Sequence, residues 1–278
     1  MTILFAAALP CFLGKRAGKN RRNVELQYNH DSRRSGGGEG MFFATSDLHG
    51  YPLEQFQKLL DAAGFGEDDE LYVLGDVIDR HGDGGVKTLL WMMEQPNVTL
   101  LRGNHEAMLL GCEFLFTAIT DDSLRQLSSD ELSGLSHWMA NGAQPTLDAL
   151  RSLKNQSPEQ LADLLDYLRE APLYAAVSAG ERDFILTHAG LGSFRPGRKL
   201  SQYAEHDLLW HRPDAAERYF PDVTVVFGHT PTQYLEGGQE GRMLRTDTWI
   251  DVDTGAAGGG APMLLRLDDL RAFYAGGL

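Results

Sequence analysis

An ordered series of apolar runs, each followed by a short polar cluster, constrains the fold of this chain more than any other feature. The runs cover residues 41–44, 71–74, 98–101, 184–186 and 223–227. Their length and composition predict short buried strands. The clusters that follow them are Asp47-Leu48-His49-Gly50, Gly75-Asp76-Val77-Ile78-Asp79-Arg80, Gly103-Asn104-His105-Glu106, His188-Ala189-Gly190 and Gly228-His229-Thr230. Because ligands bind at the carboxyl ends of strands in open α/β sheets, we expect these clusters to meet there.

The side chains in the clusters are hard ligands of the kind that divalent metal ions prefer. Asp47 and His49 lie two residues apart, so on an extended stretch both side chains would leave the backbone on one side and reach one ion. Asp, His and Asn offer oxygen and imidazole nitrogen atoms that suit Mn, Fe or Zn, and the clusters contain no thiolate. A carboxylate can bridge two ions, and Asp76 is the candidate. The clusters therefore predict a two-metal hydrolase site.

Each cluster taken alone is weak support, because short strings of Asp, Gly and His occur by chance in many proteins. A lone histidine at position 188 or 229 is more often a core residue with satisfied hydrogen bonds than a ligand. The ordered set favours ligation, since every cluster comes where a strand ends. Glycines precede the ligands at positions 75, 103 and 228, where the absence of Cβ allows close approach to a metal or phosphate.

The motifs resemble those of the phosphoprotein phosphatase family within the calcineurin-like metallophosphoesterases, and most of all its compact bacterial and bacteriophage-type members. The resemblance runs from about residue 42 to residue 269 and includes three further segments. These are Trp138-Met139-Ala140-Asn141-Gly142, Trp210-His211-Arg212 and Asp251-Val252-Asp253-Thr254-Gly255. One departure is His81, which separates the Asp79-Arg80 pair from Gly82, whereas the family commonly has glycine directly after the pair. This departure leaves the reach of Arg80 open.

The resemblance implies two divalent metal ions, with manganese the first choice and iron or zinc as alternatives. It implies that the first ion is bound by Asp47, His49 and Asp76. It implies that the second ion is bound by Asp76, Asn104, His188 and His229. The shared ligand is then Asp76.

The resemblance also implies a phosphate site and a general acid. Arg80, Arg212 and Asn104 would bind phosphate oxygens, and His105, oriented by Asp79, would protonate the leaving oxygen. The implied reaction is direct attack by a metal-bridging hydroxide, without a covalent phosphoenzyme. Guanidinium groups suit a phosphate dianion, and a positioned imidazolium suits a poor alkoxide leaving group.

Two other interpretations of these residues stay open at the level of sequence. Asp79 and Arg80 could form a surface ion pair at the start of a helix, which would contribute little stability. The segment around Trp210 could be core packing, which would leave Arg212 without a phosphate role.

The resemblance implies an α/β fold, a four-layer α/β/β/α metallophosphoesterase sandwich with two mixed sheets and a helical cap insertion. Residues 41–278 would form the catalytic domain, with the insertion at about residues 113–172. Glu106 is predicted to open a helix over residues 106–116, and Ser157 with Pro158 to start another. Within the insertion, leucines at helical spacing predict buried faces; they lie at positions 124, 127, 132, 135, 147, 150, 161, 164, 165 and 168. The exposed rim of the insertion would help to select substrates.

Composition narrows the class of protein and of partner. The chain has 278 residues and a formal charge of 25 − 39 = −14, which argues against general binding to nucleic acid or to an anionic membrane. Only Cys11 and Cys112 are present, so no disulfide framework is implied and a cytoplasmic location is expected. Residues 1–40 are interpreted as a disordered extension ending in a glycine-rich linker, with a weak membrane-surface anchor as the alternative. The sequence does not indicate an oligomeric state.

Three functions fit the sequence. The first is a metallophosphatase that acts on phosphoserine or phosphothreonine in proteins, or on small phosphoesters. The second is a nucleotide hydrolase resembling symmetrical dinucleoside tetraphosphatases, whose corresponding segment typically lacks the Asp-Arg pair and has Asp where this chain has Glu106. The third is a scaffold that only binds, which the full ligand set disfavours because ligands without metals carry an electrostatic cost.

Overall fold

The computed structural model describes residues 40–116 and 128–275. The expected extension over residues 1–40 therefore lies, apart from Gly40, outside the described residues. Residues 117–127 of the expected insertion, with Leu124 and Leu127, also lie outside them.

The described chain contains ten β-strands. In chain order they are β1 (Phe42–Thr45), β2 (Glu70–Val73), β3 (Val98–Leu100), β4 (Tyr174–Ala179), β5 (Arg182–Thr187), β6 (Val223–Phe227), β7 (Leu244–Arg245), β8 (Trp249–Asp251), β9 (Met263–Arg266) and β10 (Arg271–Tyr274). The five apolar runs identified in the sequence correspond to β1, β2, β3, β5 and β6, so the prediction of strands at these runs is confirmed.

Helices connect and cover the strands. The α-helices of the described ranges are α1 (Leu53–Ala63), α2 (Val86–Met93), α3 (Asn104–Leu110), α4 (Ser129–Ala140), α5 (Gln144–Gln156), α6 (Pro158–Glu170) and α7 (Glu205–Leu209). Short 3-10 segments cover Glu113–Phe116, Leu200–Gln202, Thr232–Tyr234 and Ala256–Gly258. The helix predicted over residues 106–116 is thus divided: α3 ends at Leu110, where Gly111, a poor helix former, follows, and a 3-10 turn takes over.

The strands form two mixed five-stranded sheets. The first has the order β10-β9-β1-β2-β3 and the second the order β4-β5-β6-β8-β7. In the first sheet β1, β2 and β3 are parallel, with Phe43 opposite Leu71 and Leu71 opposite Val98. In the second sheet β5, β6 and β8 are parallel. Each sheet therefore presents the carboxyl ends of three parallel strands along one edge.

Three clusters of buried apolar side chains hold the helix and sheet layers together. One lies between the sheets and joins side chains of both, such as Ala44 and Leu74 of the first with Phe184 and Val226 of the second. A second joins the outer face of the first sheet to α1, α2 and the helices of the insertion. The third covers the outer face of the second sheet with the segment around α7. The α/β/β/α sandwich implied by the resemblance is confirmed.

The helices of the insertion pack mainly through the later leucines. α6 begins as predicted, with Pro158 as its first residue and the hydroxyl of Ser157 accepting a hydrogen bond from the N–H of Gln160. The fully or nearly buried leucines are Leu147, Leu150, Leu161, Leu164, Leu165 and Leu168. The interpretation of Leu132 as a core residue is wrong, because 49% of it is exposed. It lies in the first turn of α4, whose buried face is centred on Trp138 instead.

Across residues 40–116 and 128–275, no helix combines the length and the apolar character that crossing a membrane requires.

Candidate active site

The polar clusters converge in a cleft of about 300 Å³ at the carboxyl ends of the parallel strands. The first three clusters follow β1, β2 and β3 of the first sheet, and the other two follow β5 and β6 of the second. The lining of the cleft includes these predicted residues: Asp47, His49, Asp76, Arg80, Asn104, His105, Arg212 and His229. His188 is fully buried against this lining, and Asp79 is fully buried behind His105. The site therefore spans both sheets.

The backbone that presents these side chains is turned, not extended. Asp47 has φ 54° and His49 has φ 44°, in the left-handed region, so the expectation that both lie on an extended stretch is wrong. Asp76, Asp79 and Arg80 also have positive φ, as does His229. Residues other than glycine adopt this region rarely and at an energetic cost, and such residues concentrate at functional sites. Tight turns at the strand ends, rather than strand alternation, bring Asp47 and His49 together.

All three glycines that precede ligands allow close approach of the chain segments, and Gly103 and Gly228 lie directly against candidate ligands. A Cβ added at Gly103 would lie 2.2 Å from the Oδ1 of Asp76, and one added at Gly228 would lie 2.3 Å from the Oδ2 of Asp47. Both distances are far below van der Waals contact. A side chain at either position would separate the ligand-bearing turns.

A first group of possible metal ligands surrounds His49. Its Nε2 lies 3.6 Å from the Oδ1 of Asp47 and 3.6 Å from the Oδ2 of Asp76. His105 lies on the same side, with its Nε2 3.8 Å from the Oδ2 of Asp76, and His49, Asp76 and His105 offer atoms mutually close enough to bind one ion. The structure thus places Asp47, His49 and Asp76 together as the resemblance implied, and it adds His105 to the same neighbourhood.

A second group surrounds His188. Its Nε2 lies 2.8 Å from the Oδ1 of Asn104, 3.2 Å from the Nδ1 of His229 and 3.4 Å from the Oδ1 of Asp76. Asp76, His188 and His229 offer atoms that could bind one ion. Asp76 therefore belongs to both groups, one carboxylate oxygen facing each, which is the arrangement of a bridging ligand.

The surroundings of the histidines fit metal ligation. The Nδ1 of His188 lies 2.7 Å from the backbone oxygen of Leu74, and the Nδ1 of His49 lies 3.0 Å from that of Ile78. A metal-binding histidine typically donates its second ring N–H in this way, which leaves the lone pair of Nε2 for the metal. The Nε2 of His229 is buried and, within the described residues, has no hydrogen-bond partner. Burial and the neighbouring His188 lower the pKa of His229 to about 2, so the imidazole is a neutral donor.

The two neighbouring carboxylates, Asp47 and Asp76, have pKa values shifted in opposite directions. Burial raises the pKa of Asp76 well above its usual range, and the charges of Asp47 and Glu106 raise it further. Burial also acts to raise the pKa of Asp47, but the hydrogen bond to His49 and the nearby His188 outweigh it, so this pKa lies below its usual range. Positive charge between these groups would stabilise the ionised form of both. The chemistry of the donor set therefore fits divalent metal ions.

Glu106 has a structural part in the site that the sequence did not reveal. Its Oε2 accepts hydrogen bonds from the backbone N–H groups of Asp76 (2.8 Å) and Gly103 (2.9 Å), and its Oε1 accepts from that of Val77 (2.9 Å). The predicted role at the start of a helix is met by the bond to Gly103, which precedes α3. The bonds to Asp76 and Val77 cross 30 and 29 positions of the sequence, and no local pattern indicates them.

His105 and Asp79 form a directed pair. The Nδ1 of His105 lies 2.5 Å from the Oδ2 of Asp79, which is fully buried, so Asp79 does not form a surface ion pair with Arg80. The opposite ring nitrogen of His105 faces the cleft, 3.5 Å from an Nη of Arg80. Burial lowers the pKa of His105 and the hydrogen bond with Asp79 opposes this shift. A phosphate anion in the cleft would also favour the protonated imidazole.

The presence of His81 does not disrupt the turn that carries Arg80. The backbone N–H of His81 donates to the oxygen of Asp79 (2.9 Å), and its oxygen accepts from the N–H of Gly84 (2.9 Å). The guanidinium of Arg80 lines the cleft, so the inserted residue does not prevent its reach.

Arg212 and Trp210 also line the cleft, near His229 and Thr230. An Nη of Arg212 donates to the hydroxyl of Thr230, 3.2 Å away. Trp210 also lines the cleft, and its ring centroid lies 6.2 Å from that of His229 and 5.7 Å from that of His137. The Trp210 segment is thus part of the site rather than of the core, and it brings Arg212 to the cleft as the resemblance implied.

Comparison with known proteins agrees with this geometry. A family model described as calcineurin-like phosphoesterase matches residues 41–233. The symmetrical bis(5'-nucleosyl)-tetraphosphatase of Nitrosomonas europaea is 32% identical over 212 residues, which is 74% of this chain and 63% of that protein, less than two thirds of its length. The asymmetrical bis(5'-nucleosyl)-tetraphosphatase PrpE of a Geobacillus species is 25% identical over 81% of this chain and 89% of its own.

Two solved structures share the fold. A crystal structure provisionally assigned as a diadenosine tetraphosphatase superposes with a TM-score of 0.59 at 19% identity, covering 92% of this chain and 98% of its own. The cold-active protein-tyrosine phosphatase of a psychrophilic Shewanella species superposes with a TM-score of 0.52 at 18% identity, covering 86% and 81%. At these identities the similarity shows the fold alone.

Proposed function

The chain belongs to the calcineurin-like phosphoesterase family, and from this premise we propose that it is a metal-dependent phosphomonoesterase of the phosphoprotein phosphatase type. Its proposed substrates are phosphoserine and phosphothreonine, in proteins or in small phosphoesters. We further propose that it acts in the cytoplasm, because two cysteines in different regions imply no disulfide framework, and that it does not bind nucleic acid, because its formal charge is −14.

The directed contact between His105 and Asp79 is the observation that supports this choice of substrate. The alkoxide of serine or threonine is a poor leaving group, which needs a proton as the P–O bond breaks. An imidazolium whose Nδ1–H is bound by a carboxylate 2.5 Å away has its Nε2 proton aimed into the cleft. A leaving group that is already stable as an anion, such as a nucleoside phosphate, has much less need of this pair.

Divalent cations fit beside the general acid. Within the cleft, the residues that would bind them are Asp47, His49, Asp76, Asn104, His188 and His229. When bound, two such ions supply Lewis acidity and lower the pKa of water toward neutrality, and we propose manganese first, with iron or zinc as alternatives. Asp76 faces both groups of ligands and is the proposed bridge.

The two arginines are proposed to orient the phosphate. Arg80 and Arg212 line the cleft, Arg80 beside His105 and Arg212 beside Thr230, and Asn104 adds an amide beside His188. Planar guanidinium groups can donate two parallel hydrogen bonds to phosphate oxygens and remain charged at every physiological pH. They would counter the excess of carboxylates around the site.

A substrate panel tests the proposal. The protein supplied with Mn²⁺ is assayed on a phosphoserine peptide, a phosphotyrosine peptide and diadenosine tetraphosphate. We expect the highest kcat/KM on the phosphoserine peptide. A clear preference for the dinucleotide would overturn the proposed substrate class. Turnover no higher than that of the metal blank would show that the protein is not a phosphatase and would favour the third function, a scaffold that only binds.

Hydrolysis of dinucleoside polyphosphates is the second candidate function. Both curated relatives named above are bis(5'-nucleosyl)-tetraphosphatases. Tyr234 lines the cleft with 73% of its surface exposed, and an exposed aromatic ring beside a phosphate site can stack on a nucleobase. The sequence argument against this function is weakened, because Glu106 is bound by backbone N–H groups and is not among the residues that line the cleft.

A further inference from the structure

The buried carboxylate of Asp79 is bound by side chains from two distant parts of the chain. Its Oδ2 accepts from the indole Nε1 of Trp138 (2.8 Å), as well as contacting His105. Its Oδ1 accepts from the hydroxyl of Thr146 (2.6 Å). Trp138 belongs to α4 and Thr146 to α5, so two of the three side-chain contacts come from the helical insertion.

The chemistry of these contacts fixes the direction of each hydrogen bond. The indole N–H is a donor only, so Trp138 can only donate to the carboxylate. The hydroxyl of Thr146 accepts from the backbone N–H of Asp79 at 2.9 Å, and of the two acceptors near its own hydrogen the Oδ1 of Asp79 (2.6 Å) is closer than the backbone oxygen of Gly84 (3.2 Å). Asp79 is therefore held as an acceptor on both oxygens. As a carboxylate it accepts the Nδ1–H of His105, and the Nε2 of His105 then faces the cleft.

The same segment also fixes the neighbouring arginine. The backbone N–H of Arg80 donates to the oxygen of Gly142, which lies between α4 and α5, at 2.9 Å. Asn141, the residue before it, lines the cleft. Residues 138–146 thus support both the general acid and the arginine that is proposed to bind phosphate.

We propose that Trp138 and Thr146 are positioning residues for proton transfer to the leaving group, so that the helical insertion completes the general acid and does not only shape the rim of the cleft. Their action is through Asp79 on the orientation of His105. This inference rests on the proposed role of His105 as general acid.

Leaving-group dependence separates this role from a purely structural one. An alkyl phosphate, such as a phosphoserine peptide, requires protonation of its leaving oxygen, whereas p-nitrophenyl phosphate releases a stable phenolate and does not. In Trp138→Phe and Thr146→Val, we expect kcat on the phosphoserine peptide to fall by about tenfold or more, a part of the full effect of general acid catalysis. On p-nitrophenyl phosphate we expect kcat to change by less than about twofold. Thr146→Ser, which keeps the hydroxyl, should restore the peptide activity.

Two control variants make the result interpretable. Trp249→Phe removes another buried indole hydrogen bond, from Trp249 Nε1 to the backbone oxygen of Glu217, in the second sheet. It should leave the ratio of the two activities unchanged. His105→Ala should lower activity on the phosphoserine peptide selectively, as the proposed function requires.

The outcomes separate a failure of the positioning role from a failure of the proposed function. If His105→Ala is selective for the peptide but Trp138→Phe and Thr146→Val slow both substrates equally, or neither, the positioning role is wrong and the general acid stands. If His105→Ala itself shows no selectivity, the proposed function is wrong. Metal content and thermal unfolding of each variant, measured alongside, show whether it has kept the native fold.

Discussion

At the scale of single residues, Glu106 shows how one buried carboxylate orders the turns of the site. It accepts hydrogen bonds from Gly103 before α3 and from Asp76 and Val77 after β2. Those groups are buried, and a buried backbone N–H without a partner costs about 1–3 kcal/mol. Glu106 therefore fixes the backbone on both sides of the proposed bridging ligand.

Replacement of Glu106 tests this role. In Glu106→Gln one carboxylate oxygen becomes an NH₂ group, which cannot accept from the N–H groups it would meet. We expect the free energy of unfolding to fall by about 1–3 kcal/mol, measured by urea denaturation of the chelator-treated protein. Glu159→Gln, at an exposed position in the first turn of α6, is the matched control. Equal stability of the two variants would contradict the role of Glu106.

Replacement of Tyr234 tests the second candidate function. Stacking of a base on an aromatic side chain is worth about 1–3 kcal/mol, so Tyr234→Ala should raise KM for diadenosine tetraphosphate by about fivefold or more. KM for a phosphoserine peptide without aromatic residues should stay within about twofold. Steady-state kinetics on both substrates provides the comparison. An unchanged KM for the dinucleotide would show that Tyr234 does not stack on a base.

Residues differ in how far the sequence could specify them. Asp47, Asp76 and His188 could be placed at the site because each follows an apolar run, and a strand end is a local feature. The contacts of Asp79 with Trp138 and Thr146 join positions 59 and 67 apart, and the turns that give Asp47 and His49 positive φ depend on the same long-range packing. Such contacts exist only once the sheets and the insertion have packed together.

At the scale of secondary structure, the insertion packs on the first sheet mainly through α5 and α6. α5 and α6 bury leucines at helical spacing against the outer face of the first sheet, whereas Leu132 in α4 stays exposed. The spacing of leucines could predict the helices but not which faces were covered, because Leu132 has the same spacing as the buried residues. The face of α4 that does pack is centred on Trp138, beside Asp79.

A pair of leucine substitutions tests this distribution of packing. Leu164 in α6 is fully buried, and Leu164→Ala should lower the free energy of unfolding by about 2–5 kcal/mol through lost burial and the cavity left behind. Leu132→Ala removes the same atoms from a half-exposed position and should change it by less than about 0.5 kcal/mol. Urea denaturation of both variants under one set of conditions gives the comparison. A large loss in Leu132→Ala would contradict the structure of α4.

At the scale of the whole molecule, the candidate site joins carboxylates of the first sheet to imidazoles of the second, and without a cation the carboxylates repel one another. Asp47 and Asp76 come from the first sheet, and Asp76 is buried with Glu106 nearby, which raises its pKa. Ligand binding to the folded state alone stabilises it by mass action. The free energy of unfolding of the domain should therefore increase when divalent metal ions bind.

Thermal unfolding in the presence of Mn²⁺ tests this linkage. At a concentration about 100-fold above Kd, binding contributes about 2.7 kcal/mol, which raises Tm by roughly 5–10 °C for a domain of this size. Removal of the metal with a chelator should reverse the shift. In Asp76→Asn, which weakens the ligand shared by both groups, the shift should be much smaller. A Tm in the unaltered protein that does not respond to Mn²⁺ would contradict the metal centre.

The pairing of β9 with β1 makes completion of the first sheet depend on the last part of the described chain. β1 precedes Asp47, yet its antiparallel neighbour begins only at Met263, more than two hundred positions later. While the ribosome is still translating the intervening residues, the first sheet lacks that neighbour, and the imidazoles of the second sheet are added one after another. The first sheet and the full set of candidate ligands are therefore complete only after β9, near the end of the described polypeptide, has been synthesised.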